Sequence, residues 1–108
     1  MTKKKCQPCE GLEKPLNEKK VLKLLESINN EWHYDHKFKT IYRKFNFKNY
    51  YDTMAFVNAI AWISHTQDHH PDLIVSYNRC QVCYTTHAIN GLSENDFICA
   101  EKIDELVN

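Results

Sequence analysis

Apolar positions along this chain recur with two periods, one near 3.6 residues and one of 2, and the changes of period mark its elements. Val21, Leu24, Leu25 and Ile28 form one amphipathic stripe and predict a helix over residues 18–29. Asn17 is placed to cap it, with Leu16 and Val21 as a hydrophobic staple, and Asn29-Asn30 ends it. Between Trp32 and Phe47 the period becomes 2, which predicts two short strands with a polar turn at residues 35–37. Ile41, Arg43, Phe45 and Phe47 then share one face, and Tyr42, Lys44 and Asn46 the other. Asn49 restarts the helical period as the cap of a helix over 50–67, with Asp52 at its positive end. After Pro71 come two strand-like runs, 73–77 and 80–86, with Asn78-Arg79 as a two-residue turn. Ser93 and Asp96 resemble a capping box, and a last helix is predicted to run to the C-terminus with Cys99, Ala100, Ile103 and Leu106 inward.

The predicted order is helix, two strands, helix, two strands, helix. Strand pairs joined by short turns imply an α+β, two-layer domain: a four-stranded antiparallel sheet with helices on one face. Residues 1–15 read as an N-terminal arm ending at Pro15, and 16–108 as a single domain. The helix over 50–67 is apolar around most of its circumference, from Met54 through Ile63. A helix on a sheet needs only one apolar stripe. Its second side is therefore expected to meet another copy of the chain, in a homodimer or homotetramer.

Composition narrows the class. A chain of 108 residues with 43% hydrophobic and 26% charged positions is ordinary for one globular domain. Lys+Arg and Asp+Glu are 14 each, so no net field draws the chain to nucleic acid or to an anionic membrane. The run Lys3-Lys4-Lys5 reads as a solvated tail, with no apolar segment after it that would make a signal peptide, and no apolar run approaches a membrane span. The two glycines, Gly11 and Gly91, cannot build a Gly-rich phosphate loop.

Five cysteines, an odd number, argue against a disulfide framework and for a reducing cytoplasm. In the strand-like run Cys80-Gln81-Val82-Cys83-Tyr84, residues three apart point to opposite faces, so Cys80 and Cys83 cannot ligate one metal, and Cys80 reads as core. Cys6 and Cys9 lie in the arm and would bind a metal only with ligands from elsewhere. They are expected to be dispensable for catalysis.

Four of the six histidines fall within residues 65–87: His65, His69, His70 and His87. Histidine titrates near neutrality, so such a cluster points to proton transfer or to metal binding. His70 precedes Pro71 and is pushed out of helical conformation, which puts His69 and His70 at a helix-to-strand junction. His87 follows the last strand, whose end returns beside the start of the preceding one. His69, His70 and His87 can then converge on one cleft, with Thr85 and Thr86 at its rim. Two such groups flanking a small molecule suit a dehydration or a tautomerisation, each contributing ~10²–10⁴-fold. The metal alternative uses His65 and His69, four apart on a helix, with His70 or His87, and Asp68 as a ligand or supporting group. Thr66 stands where a zinc protease motif has Glu.

The spacing His65-x3-His69-His70-Pro71-x5-Tyr77-x9-His87-x8-Asp96 resembles the signature of the pterin-4a-carbinolamine dehydratases. Cys6-Gln-Pro-Cys9-Glu-Gly11, Trp32, Phe45-Asn-Phe47-Lys-Asn-Tyr50 and Gly91-Leu92-Ser93-Glu94 are similar to further family positions, so the resemblance spans about residues 6 to 107. It implies dehydration of a 4a-hydroxytetrahydropterin to the quinonoid dihydropterin, in tetrahydrobiopterin recycling, without metal or other cofactor. It implies His69 and His70 as the acid/base pair and His87 on the 4a-hydroxyl side. Trp32, Asp68, Thr85 and Thr86 would be the substrate-binding residues. The family often has Glu where this chain has His65. An aromatic amino acid hydroxylase or a regulatory protein is an implied partner. Some relatives act as dimerisation cofactors or assembly factors, so a binding protein without catalysis is the second reading.

Overall fold

The computed structural model describes residues 4–8 and 14–107. The elements run α1 (Glu18–Leu25), β1 (His33–Asp35), β2 (Thr40–Asn46), α2 (Tyr50–Gln67), β3 (Asp72–Ser76), β4 (Arg79–Tyr84) and α3 (Glu94–Asp104), with a 3₁₀ turn at His87–Ile89 before α3. The four strands make one antiparallel sheet in the order β1-β2-β4-β3. This is the expected α+β architecture. Among the described residues no helix is long and apolar enough to cross a membrane.

Alternation in β2 and β4 sets the layers. Ile41, Phe45, Cys80, Val82 and Tyr84 point to the helices and are buried. The register pairs Ile41 with Tyr84 and Phe45 with Cys80, so these side chains form one continuous apolar floor. Val21 and Ile28 from the α1 region, Phe56 and Ile60 from α2, and Phe97, Cys99, Ala100 and Ile103 from α3 close it. Cys80 and Cys83 fall on opposite faces, Cys80 inward and Cys83 on the half-buried outer side.

The helix starts follow the sequence closely. Asn17 accepts from Lys20 N, and Asn49 accepts from Asp52 N at 2.8 Å. The departures are at helix ends and turns. α1 stops at Leu25 rather than reaching 29, because the Ser27 hydroxyl and amide both return to Leu24 O and tighten the chain. α3 ends at Asp104 rather than running on, and Leu106 is 43% exposed rather than inward. The β3–β4 turn is Tyr77-Asn78, one residue earlier than expected, with Ser76 paired to Arg79. Asn78 keeps a negative φ, and its carbonyl is taken by Phe47 N at 2.8 Å. The β1–β2 turn ends at Lys39, in the left-handed region at φ 55, after Asp35 Oδ1 accepts from Lys37 N and Phe38 N. β4 ends at Tyr84, and Thr86 forms only an isolated bridge to Gly91. At Gly91 a side chain would meet the Pro15 ring, its Cβ 2.6 Å from Pro15 Cβ, so the loop and the chain before α1 can touch only through a glycine.

A buried polar cluster fixes the far end of α3. Asp104 accepts from Trp32 Nε1 at 2.9 Å and from Arg43 Nη1 at 2.7 Å, bringing together β2, α3 and the chain entering β1. Both partners of the ion pair are largely buried. Removing the carboxylate strands a guanidinium and an indole N–H. Asp104→Ala is therefore expected to lower the unfolding free energy by about 3 kcal/mol. Lys48→Ala, at an exposed pair with Asp52, should change it by less than about 1 kcal/mol. Urea unfolding followed by tryptophan fluorescence measures both.

Candidate active site

The site forms where α2 ends. Asp68 takes the left-handed conformation at φ 51, and both its own amide and that of His69 return to Ser64 O. A residue in this region reverses the chain at a helix end; Asp tolerates it better than a bulky residue. The reversal turns His69 inward and leaves His70 exposed just before Pro71.

His69 is held on two sides. Its ring stacks on Tyr84, with centroids 5.6 Å apart and planes within 9°. Its Nε2 is 2.7 Å from Asp96 Oδ1. A carboxylate only accepts, so Nε2 carries the proton and Nδ1 is left to exchange one. Asp96 is fully buried and its other oxygen is also occupied, by Ser93 N at 3.0 Å and Thr86 Oγ1 at 2.8 Å. Thr86 therefore receives the Ser93 hydroxyl, 2.7 Å away. Burial opposes protonation of His69, but the hydrogen bond and charge of Asp96, with the charges of Cys6 and Asp68, outweigh it and raise its pKa above the usual 6.5.

A cleft of about 570 Å³ opens over this junction, within the usual range for small-molecule sites. His69, His70, His87, Asp68, Thr85 and Thr86 all line it. The three histidines expected to converge thus reach one cavity from the α2 end, the chain before β3 and the 3₁₀ turn. Trp32 does not reach it. It is 3% exposed and sits in the core behind Tyr84, its ring centroid 6.5 Å from the Tyr84 ring. Thr86 Oγ1 is committed to Asp96, and Thr85 Oγ1 donates to Lys39 O at 2.8 Å. Their hydroxyls shape the wall more than they offer free donors. His65 lies on the α2 surface with its ring against Trp62. Among the described residues no group of three or more His, Cys, Asp or Glu side chains is arranged to hold a metal ion.

Sequence reasoning gave Asp96 a place in the family signature and a capping role, and here it is also the partner of His69. The eight-residue interval from His87 to Asp96 was the available signal. The arm was expected to lie apart from the chemistry, yet Cys6, Gln7 and Pro8 form one wall of the cleft. Cys9 lies outside the described residues.

Comparison with known proteins agrees with this geometry. The profile of the family described as pterin 4 alpha carbinolamine dehydratase matches residues 14–106. The chain belongs to that family. A Nitrosospira multiformis protein that bears the name pterin-4-alpha-carbinolamine dehydratase is 61% identical over 103 residues, covering 95% of this chain and 88% of its own. A similarly named protein of Legionella pneumophila strain Corby is 51% identical, covering 99% and 95%. Among solved structures, a transcriptional coactivator/pterin dehydratase from Brucella melitensis superposes with a TM-score of 0.82 at 29% identity, covering 87% of this chain and 99% of its own. A pterin dehydratase-like RuBisCO assembly factor of the alpha-carboxysome shares the fold, with a TM-score of 0.63 at 22% identity over 72% of this chain and 90% of its own.

The Asp96 contact makes a direct prediction. In Asp96→Asn the carboxylate charge is lost while the shape remains, so the His69 pKa should fall, as read by NMR titration of the ring protons. Because the folded value is raised, the stability that His69 contributes is fully present below pH 6.5 and is lost as pH rises through the folded pKa. Asp96→Asn should weaken that pH dependence. An unchanged His69 titration would show that Asp96 does not set it.

Proposed function

We propose that this family member is a 4a-hydroxytetrahydropterin dehydratase acting by histidine acid/base catalysis, in the recycling of tetrahydrobiopterin or a related pterin. The carrying observation is a single cleft lined by three histidines, one of them hydrogen-bonded to a buried carboxylate. In the reaction the bond from C4a to the hydroxyl oxygen breaks, that oxygen leaves as water after gaining a proton, and a ring N–H proton passes to a base. His69, kept protonated to higher pH by Asp96, suits the acid. His70, exposed at the rim, suits the base, and His87 faces the 4a-hydroxyl side. Asp68 and the Thr85-Thr86 backbone border the remaining polar edge of the bicycle. Trp32 contributes through Tyr84, which it backs, rather than by touching substrate.

A coactivator or assembly role has no chemical use for three histidines in one cleft, which supports the enzymatic reading. Stopped-flow dehydration of a 4a-hydroxytetrahydropterin by the metal-stripped protein tests it. Turnover should persist in chelator. His69→Ala and His70→Ala should each lower kcat by ~10²-fold or more. His36→Ala should leave it unchanged, since His36 is exposed and paired with Glu18 outside the cleft. Activity that vanishes in chelator and returns with zinc would establish the metal reading, and pterin binding without turnover the binding one.

The active form on this reading is a homo-oligomer joined through α2. That helix buries Thr53, Phe56 and Ile60 inward, while Tyr51, Ala55 and Trp62 form a second stripe on the exposed side, Trp62 at 67% exposure. Stripes spaced four and seven residues apart suit a helix–helix contact between copies. Sedimentation equilibrium at micromolar concentration should give a dimer or tetramer, and Trp62→Glu should shift it towards monomer. A wild-type monomer would refute the interface.

A further inference from the structure

The arm brings a second kind of chemistry to the cleft. Cys6 Sγ lies 3.4 Å from Cys99 Sγ on α3, 93 residues later in the chain. Cys6 is half-buried and lines the cleft, whereas Cys99 is fully buried behind it. The contact is held by the backbone around it. Cys6 N donates to Gln67 Oε1 at 2.9 Å, Gln7 N donates to Asn95 Oδ1 at 2.9 Å, and Asn95 Nδ2 donates to Gln7 O at 2.6 Å. These bonds tie the arm to the end of α2, two residues before His69, and to α3, which carries Asp96. The other described cysteines have no such arrangement: Cys80 is in the core and Cys83 on the outer sheet face.

We propose that Cys6 and Cys99 are a peroxide-sensitive thiol pair whose oxidation to a disulfide clamps the arm across the cleft and lowers its turnover. The Cys6 sulfur attacks one oxygen of a hydroperoxide, the O–O bond breaks, and Cys6 becomes a sulfenic acid while the peroxide is reduced to water or alcohol. Cys99 sulfur then displaces the sulfenic oxygen, which leaves as a second water with the thiol proton, and an S–S bond forms. Both steps balance with one hydroperoxide per pair.

Electrostatics supports the order of attack. The contact with Cys99, helped by His69 and Lys102, lowers the Cys6 pKa against the opposing effects of burial and of Asp96. Cys99 is held protonated above its usual range by that contact and by burial. Cys6 lines the cleft, where a hydroperoxide can reach it, and Cys99 is fully buried, so the cleft-facing sulfur is the nucleophile and the buried one the resolving thiol. Oxidation acts on the histidine site in two ways. It fixes residues 6–8, which form a wall of the cleft, to α3. It also removes Cys6 as one of the charges that raise the His69 pKa, leaving Asp96 and Asp68. The effect on turnover rests on the dehydratase reading, whereas the thiol pair does not.

The test uses the full chain treated with a few equivalents of hydrogen peroxide. Non-reducing peptide mapping should find the Cys6 peptide joined to the Cys99 peptide, with the link reversed by dithiothreitol. Tm should rise on oxidation, and turnover should fall several-fold and recover on reduction. Cys99→Ser should form no link and should leave a dimedone-reactive sulfenic acid at Cys6, whereas Cys83→Ser should behave as wild type. Oxidation that maps first to Cys83, or a Cys6–Cys9 link, overturns the pairing. A Cys6–Cys99 link with unchanged turnover overturns the clamp. A reduced protein without dehydratase activity would instead refute the proposed function, and the peptide map would still decide the thiol pair.

Discussion

The buried carboxylate of Asp96 joins three parts of the chain that are otherwise distant in sequence. It accepts from Ser93 N at the start of α3, from Thr86 beyond β4 and from His69 beyond α2. A carboxylate removed from water is costly unless its lone pairs are used. Here that requirement works as a positional constraint: each donor must be present for the others to be worthwhile. The helix cap, the loop after the sheet and the cleft histidine are therefore not independent features. Shifting any of them leaves a buried charge partly unsatisfied.

α3 carries this constraint through the core. Asp96, Cys99, Ala100, Ile103 and Asp104 are spaced by three, one, three and one, one face of a helix, and all are buried. The carboxylates at its two ends anchor different things. Asp104 holds the Trp32 indole and Arg43, and Asp96 holds His69. Between them runs a column of rings, Trp32 on Tyr84 and Tyr84 on His69. The orientation of a cleft histidine is thus set from beneath by packing and from the side by a hydrogen bond. Two supports of different kinds fix a ring better than either alone, because stacking sets its plane and the carboxylate its rotation within that plane.

What could be read from the sequence was whatever depends on local period and on capping. Asn49 and Asp52 gave the start of α2, and alternation in 80–84 separated Cys80 from Cys83. The fold class followed from the order of elements. Helix ends were less legible. Nothing in a periodic pattern says that Ser27 will turn back on Leu24, or that Leu106 will lie past the last turn. The site was legible as a set of histidines, because the Pro71 junction and the strand return bring their backbones together. Its supporting residues were not. Trp32 looks the same in sequence whether it walls a cleft or backs a tyrosine, and Asp96 whether it caps a helix alone or also holds a histidine. Cys6 gave no periodic signal, and only the folded chain sets it against Cys99.

The distribution of rigidity over the cleft follows from these origins. Of its histidines, His69 is fixed by a buried partner while His70 and His87 are exposed, and Lys39, Asp68 and Asn90 take left-handed turns around the cleft. With Gly91 the one glycine among the described residues, and that one pressed against Pro15, the described backbone has few places where it can move freely. The remaining wall is the arm, which is held by a few hydrogen bonds from Gln67 and Asn95 and by the half-buried Cys6 sulfur, which touches Cys99 Sγ and Asn95 O. Such segments open at lower free energy than packed helices or strands. The arm is therefore the wall best placed to adjust to a ligand, while His69 keeps its geometry between Tyr84 and Asp96.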